Sequence, residues 1–78
     1  MTVGNDEQAK LRDQFIQARK STGLTQVELA DRLGRPQSFV SKYERGERKL
    51  DLIEFCEVCR ALGIDPVAFL RRFCSEGS

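Results

Sequence analysis

The chain has no histidine and no tryptophan, and only two prolines and one methionine in 78 residues. Without histidine it lacks the commonest general base and the commonest metal ligand, and no cluster of acids stands in for them, so no catalytic site is expected. No apolar run approaches the roughly 20 residues that cross a bilayer, which excludes a spanning helix. Nor is there a Pro/Gly/Ser-rich linker, or a repeat with a period of about 20 to 50 residues, so tethered domains and solenoids are excluded as well. The N-terminal residues lack the basic and then apolar order of a secretory signal, and a soluble cytoplasmic protein with no membrane association is expected.

Neither sign of charge dominates: 13 Lys and Arg face 12 Asp and Glu, for a net +1. Any electrostatic role must therefore come from the placement of charges and not from their sum. The three cysteines, Cys56, Cys59 and Cys74, are odd in number and confined to the C-terminal third, which suits reduced thiols better than a disulfide framework. Cys56 and Cys59 share one side of a helix, but a structural zinc needs four ligands. They read as small core residues, and neither metal nor cofactor is expected. A chain this short buries only about 60% of its unfolded surface, so a second subunit would be a natural stabiliser.

What is present is a succession of short amphipathic helices punctuated by glycine. Leu11, Phe15 and Ala18 recur at helical spacing within residues 7–22, with Asn5 or Asp6 as a candidate cap and Gly23 as the stop. Thr25 and Glu28 form a capping box that opens a second helix carrying Leu29, Ala30 and Leu33, closed by Gly34. Pro36 suits the start of a third helix over about 37–45, with Val40 and Tyr43 facing inward and Gly46 ending it. Asp51 and Glu54 repeat the capping box for a fourth helix whose apolar stripe is Leu52, Phe55, Cys56, Cys59 and Leu62. Ile64, Asp65 and Pro66 start a fifth, with Val67, Phe69, Leu70 and Phe73. The expectation is one all-α domain over residues 1–78, with its core at about 7–74.

Residues 26–45 carry the pattern of two helices crossing at a tight turn. Ala30 is small where the third helix crosses, Gly34 makes the turn, and Leu29, Leu33, Val40 and Tyr43 fill the angle. Gln37, Ser38, Ser41 and Lys42 are then left on the outer face of the third helix, where amide and amine donors can meet base edges in a DNA major groove. Phe39 is expected near the groove wall, touching a thymine methyl, packing beside phosphates or covering the end of the second helix.

The segments Leu24-Thr25-Gln26-Val27-Glu28-Leu29-Ala30 and Gln37-Ser38-Phe39-Val40-Ser41-Lys42-Tyr43-Glu44-Arg45-Gly46 resemble the phage-repressor (Cro/cI or XRE-like) helix-turn-helix family, and Ala61-Leu62-Gly63-Ile64 is similar to the junction before that family's last helix. The likeness covers roughly residues 10–73. It implies a compact five-helix lambda-repressor-like fold, a phosphate contact from Gln26, and base contacts from Gln37, Ser38 and Lys42. It also implies a semi-buried ion pair between Arg19 and Glu44, and a homodimer on a two-fold symmetric operator. Ser38 and Ser41 are shorter than the polar side chains of the familiar examples, which points to weaker or water-mediated readout.

Charge placement agrees with this face. Residues 35–49 hold five cations and two acids, for +3, while residues 51–65 hold four acids and one arginine, for −3. Arg35, Arg45, Arg48 and Lys49 are candidate phosphate contacts, and about three phosphates per subunit give a dimer a salt slope of roughly −5. Phe69, Val58 and Phe73 nominate the fourth and fifth helices as the dimer surface. The function expected is a sequence-specific DNA-binding transcriptional regulator, a repressor or autoregulator, acting by occupancy or polymerase contact. The alternative is an antitoxin or a restriction-modification controller protein of the same fold, the antitoxin acting through a toxin partner.

Overall fold

The computed structural model describes residues 3–76; residues 1, 2, 77 and 78 of the expected domain lie outside the described residues. Five helices follow in order, α1 (Val3–Ser21), α2 (Gln26–Leu33), α3 (Gln37–Glu44), α4 (Leu52–Ala61) and α5 (Pro66–Glu76), with no strand among the described residues. This is the all-α arrangement expected. One boundary differs: α1 begins at Val3 and runs through Asn5 and Asp6, so neither caps its start.

Local chemistry sets the other boundaries. Thr25 Oγ1 accepts from the Glu28 amide at 3.1 Å while Glu28 returns a carboxylate to the Thr25 amide at 2.9 Å, closing the capping box of α2. Asp51 and Glu54 do the same for α4 at 2.7 and 3.0 Å. Each box satisfies two amides that the first turn leaves without partners, which is why both helices start where they do. Between α2 and α3 the chain reverses at Gly34, left-handed at φ +68°, and the next amide, that of Arg35, reaches back to the Ala30 carbonyl at 3.0 Å. A side chain would strain that backbone.

Five of the six aromatic rings meet in the core. Phe15 of α1 stacks on Phe69 of α5 with centroids 5.0 Å apart, lies 5.7 Å from Phe55 of α4, and meets Tyr43 of α3 edge-on at 6.3 Å. Such pairs contribute about 0.5–1.5 kcal/mol each beyond the area they bury. Leu29, Val40, Val58 and Cys59 are fully enclosed around them, and Ala30 is buried where α2 packs on α3. The core therefore braces the back of α3 and leaves its other side to solvent.

Two expectations about apolar faces are overturned. Leu52, expected in the inward stripe of α4, is 70% exposed, while Glu54 and Phe55 of the same turn are the residues that α4 buries there. Conversely, Val58 and Phe69 were assigned to an exposed dimer face and are 0% and 5% exposed. The apolar side chains that α4 and α5 do expose are Leu52, Ile53, Val67 and Leu70.

Candidate nucleic-acid interface

The candidate interface is built around a chain of hydrogen bonds that begins inside the protein. Arg19 on α1 grips Glu44 at the end of α3 with two bonds, Nε to Oε2 at 2.7 Å and Nη2 to Oε1 at 3.1 Å, and Arg19 Nη1 donates to the Leu24 carbonyl at 2.9 Å. Both side chains are largely removed from water, at 12% and 6% exposure. The bond to Glu44 holds the guanidinium even further above its ordinary pKa, against the opposing cost of burial. The ion pair implied by the family resemblance is present.

Glu44 has a further donor. Gln26, the first residue of α2, gives its Nε2 proton to Glu44 Oε1 at 2.8 Å, and Gln26 Oε1 accepts from Gln37 Nε2 at 3.4 Å. The first residues of α2 and α3 are thus held side by side and oriented from behind by a buried charge pair. Gln37, Ser38 and Lys42 are exposed beside them. Residues 37, 38, 41 and 42 recur at one-turn spacing and so share a face of α3. Ser41 is half-buried, and its hydroxyl donates to the Ser38 carbonyl at 3.3 Å, so toward any further partner its oxygen can act only as an acceptor.

Phe39, for which three places were open, lies under the two arginines that flank α3. The ring is buried, packs edge-on to Tyr43 at 5.6 Å, and carries the guanidinium carbons of Arg35 and Arg48 at 4.5 and 5.0 Å. Its burial under two guanidinium groups speaks for a packing role more than for direct contact with a thymine methyl or a phosphate. The ring is a platform on which two arginines lie.

Those arginines are not free. Arg35 bonds Glu54 and Glu57, each at 3.3 Å, and Arg48 bonds the same Oε2 of Glu54. Glu54 is buried, and its other oxygen serves the capping box of α4. The +3 and −3 segments, read from the sequence as separate poles, therefore fold against one another at this point. Arg45 is exposed and bonds Glu47, also exposed, through two contacts at 2.9 and 3.0 Å. Lys42 and Lys49 are exposed and make no ion pair among the described residues. Glu54 and Glu57 are functional neighbours that sequence reasoning missed. The signal was available in part, since the last capping-box residue of α4 belongs to a helix whose neighbouring turn, Phe55 and Val58, is apolar.

The remaining titratable groups of the core are inert. Burial pushes the Cys59 thiol up to about 11 and raises the Tyr43 phenol further, so both stay protonated at neutral pH. No group of His, Cys, Asp and Glu able to hold a metal ion occurs among the described residues, and no described helix is long and apolar enough to cross a membrane.

Comparison with known proteins agrees with this geometry. The helix-turn-helix family model matches residues 15–69. An uncharacterised HTH-type transcriptional regulator, y4dJ, of Sinorhizobium fredii is 40% identical over 53 residues, covering 68% of this chain and 69% of that protein. Among solved structures, an XRE-family like protein from Pseudomonas syringae pv. tomato superimposes with a TM-score of 0.93 at 51% identity, over 96% of this chain and 92% of the other. The restriction-modification controller protein C.AhdI from Aeromonas hydrophila gives 0.73 at 31% identity, over 80% and 94%. The fold is lambda-repressor-like, and the chain belongs to the XRE family of helix-turn-helix DNA-binding transcriptional regulators, which are not enzymes.

Proposed function

We propose that the chain is a sequence-specific repressor or autoregulator that binds a two-fold symmetric operator as a homodimer. The observation that carries this reading is the relay from Arg19 through Glu44 and Gln26 to Gln37, which fixes one amide side chain at the start of α2 and one at the start of α3 beside exposed Ser38 and Lys42. In this reading Gln37, Ser38, Ser41 and Lys42 face base edges. Gln26, Arg45 and Lys49 meet phosphates, and Arg35 and Arg48 do so by leaving Glu54. Two recognition helices about 34 Å apart then enter successive major grooves.

The exposed apolar residues of α4 and α5 supply the self-complementary face that a dimer requires. Regulation follows from occupancy, with promoter occlusion where the site overlaps a promoter. The likeness to C.AhdI favours a controller-type regulator as the second reading, which genes for a nuclease and a methyltransferase beside this one would support. Selection from a random DNA pool, followed by native mass measurement of the complex, tests the whole reading. The expected result is a palindromic consensus carrying two chains, and an unenriched pool or an asymmetric site with one chain would refute it.

A further inference from the structure

A cavity of about 270 Å³ opens between α1, the end of α3 and the loop that joins α3 to α4. Its floor is apolar, formed by Leu11, Phe15 and Leu50, and its rim carries Arg12, Arg48 and Lys49 with no carboxylate among the lining residues. Arg12 differs from the other half-buried arginines. Arg19 and Arg35 each hold a glutamate, whereas Arg12 makes no ion pair or hydrogen bond among the described residues. Its guanidinium lies against Gly46, where a Cβ would stand 2.9 Å from Nη1, and Gly46 is left-handed at φ +80°. The glycine is thus needed both for the turn and for the seat of the arginine.

Tyr43 also lines the cavity and is only 3% exposed, but the charged groups acting on its phenol are Glu44 and Arg19, outside the cavity, so the guanidinium of Arg12 is the charged group that the cavity offers a ligand from its α1 side. A half-buried guanidinium with no acceptor among the described residues, beside a rim that is otherwise cationic, is suited to an entering anion. A carboxylate supplies two oxygens suited to the guanidinium fork. The apolar floor calls for a hydrophobic body, and the volume, at the small end for ligand sites, limits that body to about one ring.

We propose that this cavity binds a small organic carboxylate with a single aromatic ring, and that its occupation weakens DNA binding. The second half rests on the DNA-binding reading above. The loop that walls the cavity carries Arg48 and Lys49, and an anion held there neutralises cations assigned to phosphates. Linkage then makes the acid and DNA mutually antagonistic.

The test uses isotope-labelled protein without DNA, titrated by NMR with benzoate, and with acetate and benzyl alcohol as probes lacking the ring or the charge. Saturable shifts centred on Arg12, Gly46 and Leu50 are expected, with benzoate binding about tenfold tighter than either control. Arg12→Gln should weaken benzoate about tenfold, the value of one charged hydrogen bond. Absence of saturable shifts at these residues, equal affinity for benzoate and benzyl alcohol, or an Arg12→Gln variant that binds as wild type overturns the site. With the site occupied, affinity for the selected DNA should fall; unchanged affinity overturns the regulatory half alone. Because the titration contains no DNA, failure of the DNA-binding reading would leave the ligand result intact.

Discussion

Glu44 is the residue whose removal tests the most. Its carboxylate accepts two bonds from Arg19 and one from Gln26, and Glu44→Ala strands a largely buried guanidinium with only the Leu24 carbonyl as acceptor. Breaking one side of a buried pair costs about 3–5 kcal/mol. The retained Leu24 bond and the residual exposure of Arg19 put this case at the lower end, about 3 kcal/mol. In a domain of this size each kcal/mol moves the melting temperature by about 4–8 °C, so a loss of roughly 12–24 °C is expected.

Glu44→Gln keeps the shape and an acceptor for Gln26 while losing the charge, and should cost about half as much. The double variant Arg19→Met/Glu44→Leu removes both charges together and should recover most of the loss, because well-packed apolar replacements of an ion pair are close to neutral. That variant should still bind DNA severalfold more weakly than wild type, since Gln26 has lost its anchor. Circular dichroism melts at fixed protein concentration, with DNA affinity measured in parallel, separate the two effects. A Glu44→Ala melt within about 3 °C of wild type, or a double variant destabilised by the sum of the singles, would refute the reasoning.

Gln37→Ala and Lys42→Ala lie on the exposed edge of α3 and should leave unfolding unchanged while lowering operator affinity about tenfold each, measured by fluorescence anisotropy; unaltered affinity in both would remove them from the reading face. Leu52→Lys with Ile53→Lys should convert the proposed dimer to a monomer in analytical ultracentrifugation with the fold intact, because both side chains already face water. Stability should decline as pH rises above about 9. The buried Cys59 thiol ionises near 11 in the fold but near 9 when unfolded, so the unfolded chain releases its proton first and gains. Cys59→Ala should flatten that alkaline limb by about 1–2 kcal/mol, read from guanidinium titrations at several pH values.

The helix starts, the glycine turns and the inward positions of Leu29, Ala30, Val40 and Tyr43 were legible in the sequence because they depend on partners within about one turn of chain. Thr25 and Glu28 are three residues apart, and their pairing needs no knowledge of the fold. The Arg19–Glu44 pair spans 25 residues, and family resemblance, not spacing, pointed to it. The fate of Glu54 was hidden for the same reason: its capping role is local, but its second role needs α4 laid against the turn before α3. Phe39, Val40 and Tyr43 fall within about 100° of arc on α3 and all three are buried, so periodicity admits Phe39 to the inward face without showing what covers its outer side. Burial of Phe39 requires the arginine side chains at 35 and 48 to cover its ring, and periodicity does not contain them. Val58 and Phe69 turned out buried, not exposed, because α4 and α5 carry apolar side chains on two sides, and a helical wheel cannot say which stripe meets Phe15.

The arrangement around Glu54 also explains how a DNA-binding domain can carry a net charge of only +1. Arg35 and Arg48 are held by a buried carboxylate in the free protein, so a phosphate must displace that carboxylate to gain either guanidinium. The exchange replaces one charged hydrogen bond with another of similar strength, and its net contribution to affinity is small. Lys42 and Lys49, exposed and unpaired among the described residues, keep more of their Coulomb energy for DNA. Non-specific attraction to any duplex is thereby kept low, because the electrostatic share of binding scales with the phosphates actually neutralised. Discrimination must then come from the edge of α3, where Gln37 is oriented by a relay that ends on Arg19. In the proposed reading, the acids of α4 would then restrain general affinity, and the buried pair behind Gln26 would align the side chains assigned to base edges.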